Sequence, residues 1–95
     1  MTADLSAPVL NLLAAMGEAL DVPAPALDRD AEAEYRLLVE DRIRYVRCVI
    51  KAVVAGETGG GIEWEADYLR RKTAERPVTY RTNAQVLAER EEGRS

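Results

Sequence analysis

The chain has 95 residues, a net charge of −4, no histidine, a single cysteine and no phenylalanine. That length fits one domain with a thin core. Without histidine the commonest general base and metal ligand are missing, and Cys48 alone cannot form an intramolecular disulfide.

Aliphatic residues and alanine supply most of the hydrophobic content, which favours helix over sheet. The excess negative charge is N-terminal: Asp4, Glu18, Asp21, Asp28 and Asp30 stand against Arg29 in residues 1–30, whereas 31–61 and 62–95 are each balanced. An acidic chain is not the usual composition of a dedicated nucleic-acid binder. The opening "MTADLSAPVL" has Asp4 where a signal peptide carries a basic residue, and no apolar run approaches the ~18 residues of a membrane span, so a cytoplasmic protein is expected. Eleven arginines against two lysines, with abundant alanine, fit a GC-rich bacterial or phage genome. Cys48 reads as a small buried hydrophobe.

In chain order, the first predicted helix covers residues 5–22. Leu5, Val9, Leu12, Met16 and Leu20 recur at steps of three and four, Ser6 is a candidate N-cap, and Pro8 is tolerated in the first turn. Its polar strip, chiefly Asn11 and Glu18, is narrow, so most of its circumference is expected to be covered. Pro23 and Pro25 make residues 23–27 a stiff linker. A long central helix follows over 30–55, opened by Asp28 or Asp30 and closed by Gly56. Val39, Ile43, Val46, Ile50 and Val53 step 4, 3, 4, 3 along it, a heptad-like seam suited to self-association, and Glu40, Arg44, Arg47 and Lys51 form its wet side, Glu40 preceding Arg44 by four residues. About 25 residues make roughly 37 Å of helix, longer than a compact globule of this size, so this spine is expected to overhang and to invite a second chain.

Residues 56–61, "GETGGG", read as a flexible turn: the glycine spacing matches a phosphate loop, but Ile62 and Glu63 stand where its lysine and hydroxyl belong. The third helix, 62–76, has a core stripe of Ile62, Ala66, Leu69 and Thr73, while Trp64 and Tyr68 point nearly opposite beside Arg71. Pro77 stops it and pushes Arg76 out of the helical region. Residues 77–81 are expected to be extended and to bring Val78, Tyr80, Val86 or Leu87 over Trp64 and Tyr68, on the same chain or on a partner's. Thr82 and Gln85 match a capping box that opens a short helix over 82–92, with Glu91 and Glu92 opposing its dipole.

The expected architecture is therefore all-α: a single helical domain over 1–95, a small bundle of three main helices and a short C-terminal one. No catalytic, cofactor or metal site is expected, because no nucleophile has an activating partner and the carboxylate pairs sit at solvated helical spacing. The expected function is a non-enzymatic protein–protein interaction module, acting as adaptor, regulator, inhibitor or assembly component. It would assemble as a homodimer or with another protein through the seam, with Trp64, Tyr68, Arg71 and Tyr80 as further anchors. The alternative is a nucleic-acid-binding regulator using Arg70, Arg71, Lys72, Arg76 and Arg81, a patch that Asp67 and Glu75 are placed to neutralise.

Overall fold

The computed structural model describes residues 5–93, so residues 1–4 and 94–95 of the expected domain lie outside it. It is all-α, with α1 (Ala7–Leu20), α2 (Arg29–Ala55), α3 (Gly61–Glu75) and α4 (Asn83–Glu92) in chain order. Each boundary falls within about two residues of its predicted position, because the sequence carries physical stop and start signals. Ser6 is at the N-cap of α1 in extended conformation, although its side chain makes no capping bond. Asp28 accepts from Ala31 N at 2.7 Å and opens α2. Gly56, at φ 72, closes it. There the Gly56 N–H donates to Val53 O and the Glu57 N–H to Ala52 O, the paired bonds that satisfy the last carbonyls of a helix ending in a left-handed residue. Arg76, ahead of Pro77, leaves the helical region at φ −127, ψ 75. Thr82 and Gln85 form the complete capping box.

The molecule is elongated, 53 × 31 × 20 Å with a radius of gyration of 16.9 Å, against about 12 Å for a compact chain of this length. The cause is α2. Its 27 residues make roughly 40 Å of helix, and two separate cores sit along it. The first holds Leu12, Ala15 and Ala19 of α1, Val46 and Val49 of α2, and Ala66 and Leu69 of α3. Here α1 packs most extensively on α3, and the alanines between them let the backbones approach closely. The second holds Ala26, Ala31, Leu38 and Tyr80, with Tyr35 and Val86 packed against it. It forms where the linker after α1 and the segment before α4 both lie on the N-terminal half of α2. Ala26 N donates to Arg81 O at 2.8 Å and Asn83 N to Ala24 O at 3.0 Å, around a single antiparallel bridge between Pro25 and Thr82.

Between the two cores lies a polar belt. Arg42 is buried, donating from Nη1 to Ala19 O at 3.0 Å and from Nη2 to Arg76 O at 2.9 Å. Next to it, buried Asp41 pairs with the Arg76 guanidinium and with Arg44 at 3.1 Å. Arg76 thus grips residue 42 of α2 through its carbonyl and residue 41 through its side chain.

Tyr80 closes the second core. Its ring meets Tyr35 edge to face at 5.9 Å, and its hydroxyl donates to Pro23 O. Burial, with Tyr35 beside it, pushes the phenol above its ordinary value, and Arg42 pulls weakly the other way. A pKa raised by folding means that the neutral form is favoured in the folded state. The associated stability is fully present below the unfolded value of about 10 and is lost as pH rises through the folded one. Melting temperatures followed by circular dichroism from neutral to alkaline pH are therefore expected to fall less steeply above about pH 10 for Tyr80→Phe than for the wild type. At neutral pH the variant loses roughly 1 kcal/mol with its hydrogen bond. Parallel curves would remove Tyr80 as the responsible group.

Candidate functional site

The predicted seam divides in the structure. Val46 is 5% exposed and Val53 packs on the first core, but Ile43 and Ile50 are 43% and 44% exposed. The reason is angular: three residues along a helix fall about 60° apart around it, so Ile43 and Ile50 stand on the shoulder of the face that Val46 and Val53 bury. Val39, half-buried, lies between the two lines, and Val54, largely exposed, extends the outer one.

Tyr45, on one side of the buried face of α2, meets Tyr68 of α3 at 6.4 Å, while Arg42 at the middle of that face reaches α1 and α3 together. The outer strip lies on the other side of that face. On α1 the polar flank bearing Asn11 and Glu18 is held by Arg70 of α3, at 2.6 and 3.0 Å, and the opposite flank carries Leu13 and Leu20, each about half exposed. The extensive cover expected for α1 is thus not found. Besides Leu12, the helix buries its small residues, Ala15 and Ala19, and leaves Leu13 and Leu20 outside, because close approach to α3 requires alanine at the contact. Leu13, Leu20 and Val54 are, with Ile43 and Ile50, exposed apolar residues that the seam pattern alone does not reveal.

A shallow groove of about 440 Å3 runs beside Ile43, lined by Glu40, Arg44, Arg47, Cys48 and Lys51. Cys48 is exposed, contrary to its expected burial, since it falls on the wet side of the wheel with these charges. The anticipated bond between Glu40 and Arg44 is replaced, Arg44 turning to Asp41. Among the described residues no ion pair involves Glu40, Arg47 or Lys51.

The second candidate surface lies on α3. Trp64, 47% exposed, stacks on Tyr68 with centroids 5.6 Å apart, and both Arg71 and Lys72 stand 5.8 Å from the Tyr68 ring. The indole also covers the turn before α3: a Cβ at Gly60 would come within 2.6 Å of Trp64. The returning segment does not cover this pair as anticipated. Tyr80 goes to the second core and is 5% exposed, so it is not a surface anchor.

The five basic residues of the alternative reading are dispersed. Arg70 is held by α1, Lys72 by Glu75 at 3.4 Å, Arg76 by Asp41 and Arg81 by Glu89. Arg71 is exposed beside Tyr68. Asp67 is not the partner of Arg70; the cross-helix contact with Glu18 and Asn11 takes its place.

The residue that sequence reasoning missed is Arg42. A charged side chain four residues from both Leu38 and Val46 lies inside the apolar arc of α2, and that position was the available signal. Its burial depresses the guanidinium's affinity for its proton, yet its two terminal nitrogens cap the C-terminal ends of α1 and α3 together.

Among the described residues no cluster of three or more His, Cys, Asp or Glu side chains is placed to hold a metal ion, and no helix is long and apolar enough to cross a membrane. In comparisons with known proteins, no family model, curated protein or solved structure matches the chain.

Proposed function

We propose that this protein is a small non-enzymatic protein–protein interaction module, an adaptor, regulator, inhibitor or assembly component, that acts by docking its α1/α2 face on another polypeptide. The observation that carries this reading is the exposure of Leu13 and Leu20 on α1 and of Ile43, Ile50 and Val54 on α2, since large apolar side chains left uncovered on a small domain mark an interaction site. Trp64, Tyr68 and Arg71 provide a second surface with the residue types enriched at binding hot spots.

The test is Ile43→Asp with Ile50→Asp. Both side chains are exposed, so the fold and its helicity by circular dichroism are expected to persist, while crosslinked complexes in the native host and the association state of the pure protein are expected to be lost. An unchanged crosslinking profile and unchanged solution mass would overturn the reading.

The competing reading, nucleic-acid binding, draws support from Arg71 beside the exposed Trp64–Tyr68 stack, a stacking platform with one adjacent cation. It requires retardation of DNA or RNA that weakens steeply with added salt. The internal pairing of Arg70, Lys72, Arg76 and Arg81 weighs against it.

A further inference from the structure

We propose that the occupant of the outer strip of α2 is an acidic amphipathic segment of another protein, its apolar side chains covering Ile43, Ile50 and Val54 and its carboxylates facing Arg44, Arg47 and Lys51. The proposal rests on reading that strip as a docking surface and adds the chemistry of the partner.

The charge placed beside the strip carries the inference. From Arg42 to Ala55, α2 holds Arg42, Arg44, Arg47 and Lys51 and no acidic residue, in a chain whose net charge is −4. Arg42 is buried, so the cations of this half that reach solvent are Arg44, Arg47 and Lys51. At about 100° per residue, Ile43, Ile50 and Val54 fall within roughly 40° of one another around the helix, and the three cations follow over about the next 80° on the side away from the core. The strip therefore has a basic rail along its solvent edge. The groove of about 440 Å3 beside Ile43 is lined by all three cations, with Glu40 as its one carboxylate, a turn before Arg44.

The rail is not neutralised within the described residues. No ion pair among them involves Arg47 or Lys51. Arg44 bonds Asp41 at 3.1 Å, but Asp41 also holds the Arg76 guanidinium, so one carboxylate serves two cations. The cluster stays positive.

An apolar strip edged by fixed positive charge restricts what can lie on it. Covering Ile43, Ile50 and Val54 requires apolar side chains, which a phosphate backbone does not offer, while the rail favours carboxylates and repels basic segments. The strip itself carries no aromatic ring on which a base could stack, and it lacks the Trp, Phe or Leu that seat an interfacial helix in a bilayer. From Ile43 to Val54 it runs about 16 Å, or three helical turns. A helix with apolar residues at steps of three and four matches that length, and its acidic flank then lies over the rail.

A displayed library of random peptides of about 16 residues, enough for roughly 24 Å of helix, tests the assignment by selection on the full chain. Recovered peptides are titrated by fluorescence anisotropy against the wild type, Arg47→Glu with Lys51→Glu, and Ile43→Asp with Ile50→Asp. They are expected to be rich in Asp and Glu with apolar residues at steps of three and four, to bind the charge-reversed variant roughly tenfold or more weakly, and to weaken with added salt. Both reversed side chains are exposed, so helicity by circular dichroism is expected to be unchanged. Peptides without acidic enrichment, or peptides that bind the charge-reversed variant as tightly as the wild type, overturn the acidic partner; the docking surface stands if they still lose binding to the Ile43→Asp, Ile50→Asp variant and falls if they do not. A selection that recovers no peptide also overturns the proposal, and the crosslinking experiment then decides the docking surface separately. The same variants are titrated with a single-stranded oligonucleotide and with vesicles of equal parts phosphatidylcholine and phosphatidylglycerol. Binding to either that exceeds peptide binding and is lost on charge reversal assigns the rail to phosphate and overturns the protein partner.

Discussion

Arg42→Ala is expected to cost about 3 kcal/mol of folding stability and to lower the melting temperature by roughly 12 to 24 °C for a domain of this size. Two helix ends depend on the guanidinium. α1 has no basic residue in its last turn and no glycine following it, and its Ala19 carbonyl is among the last four that an isolated helix leaves unpaired. α3 ends on Arg76, whose carbonyl is the second acceptor. A cation at two C-terminal ends also opposes two partial negative charges of the helix dipoles. Removing it leaves both carbonyls without their donor in a buried belt, each at a cost of about 1 to 3 kcal/mol, and removes the packing of the aliphatic stem.

Against this stands the cost of holding a buried cation with no carboxylate in direct contact, which is why burial lowers the Arg42 proton affinity. The Nε atom adds to that cost, being buried without a hydrogen-bond partner. Arg42→Met separates these contributions. It keeps much of the stem and removes the charge, so its loss is expected to be roughly half that of the alanine variant. Equal losses, read by urea unfolding, would place all of Arg42's contribution in its hydrogen bonds. No loss in either variant would show that water replaces the guanidinium at both carbonyls.

Helix boundaries were legible in the sequence because they are fixed by local chemistry: an aspartate that accepts the first free N–H, a glycine that takes a left-handed φ, and a threonine and glutamine that cap reciprocally. The covered faces were less legible because they depend on which neighbour lies on each side. A step of 4, 3, 4, 3 along α2 fits a single seam as well as two lines 60° apart, and the position of α1 decides between them. Of the large residues of α1 read as its core stripe, Leu12 is buried and Met16 packs on the core, while Leu5 and Leu20 are exposed and Ala15 and Ala19 lie in the core with Ala66. Tyr80 and Trp64 both read as candidate surface anchors. The first is drawn inward by Tyr35 and a free carbonyl at Pro23, and the second remains on the surface over Gly60.

Leu69→Ala is expected to destabilise the fold by about 2 to 5 kcal/mol. Leu69 and Ala66 have no exposed surface, and Leu69 and Val49 are the largest side chains that are fully buried. Leu69 lies in the first core among Leu12, Ala15, Ala19, Val46 and Val49, where α1, α2 and α3 meet. The alanines of this core cannot extend to refill the space, and α1 and α3 already approach closely, so a cavity forms that collapses only in part. The same truncation at Ile43, half exposed on the outer strip, is expected to change monomer stability by under about 0.5 kcal/mol. The contrast between the two substitutions distinguishes the roles of two aliphatic side chains that the sequence pattern places on equally apolar stripes. Leu69 holds the three helices together, whereas Ile43 is expected to contribute to stability only where another polypeptide covers it. Unfolding of the Ile43→Ala variant at low and high protein concentration therefore reads the partner directly: its stability falls below that of the wild type only where the wild type is associated.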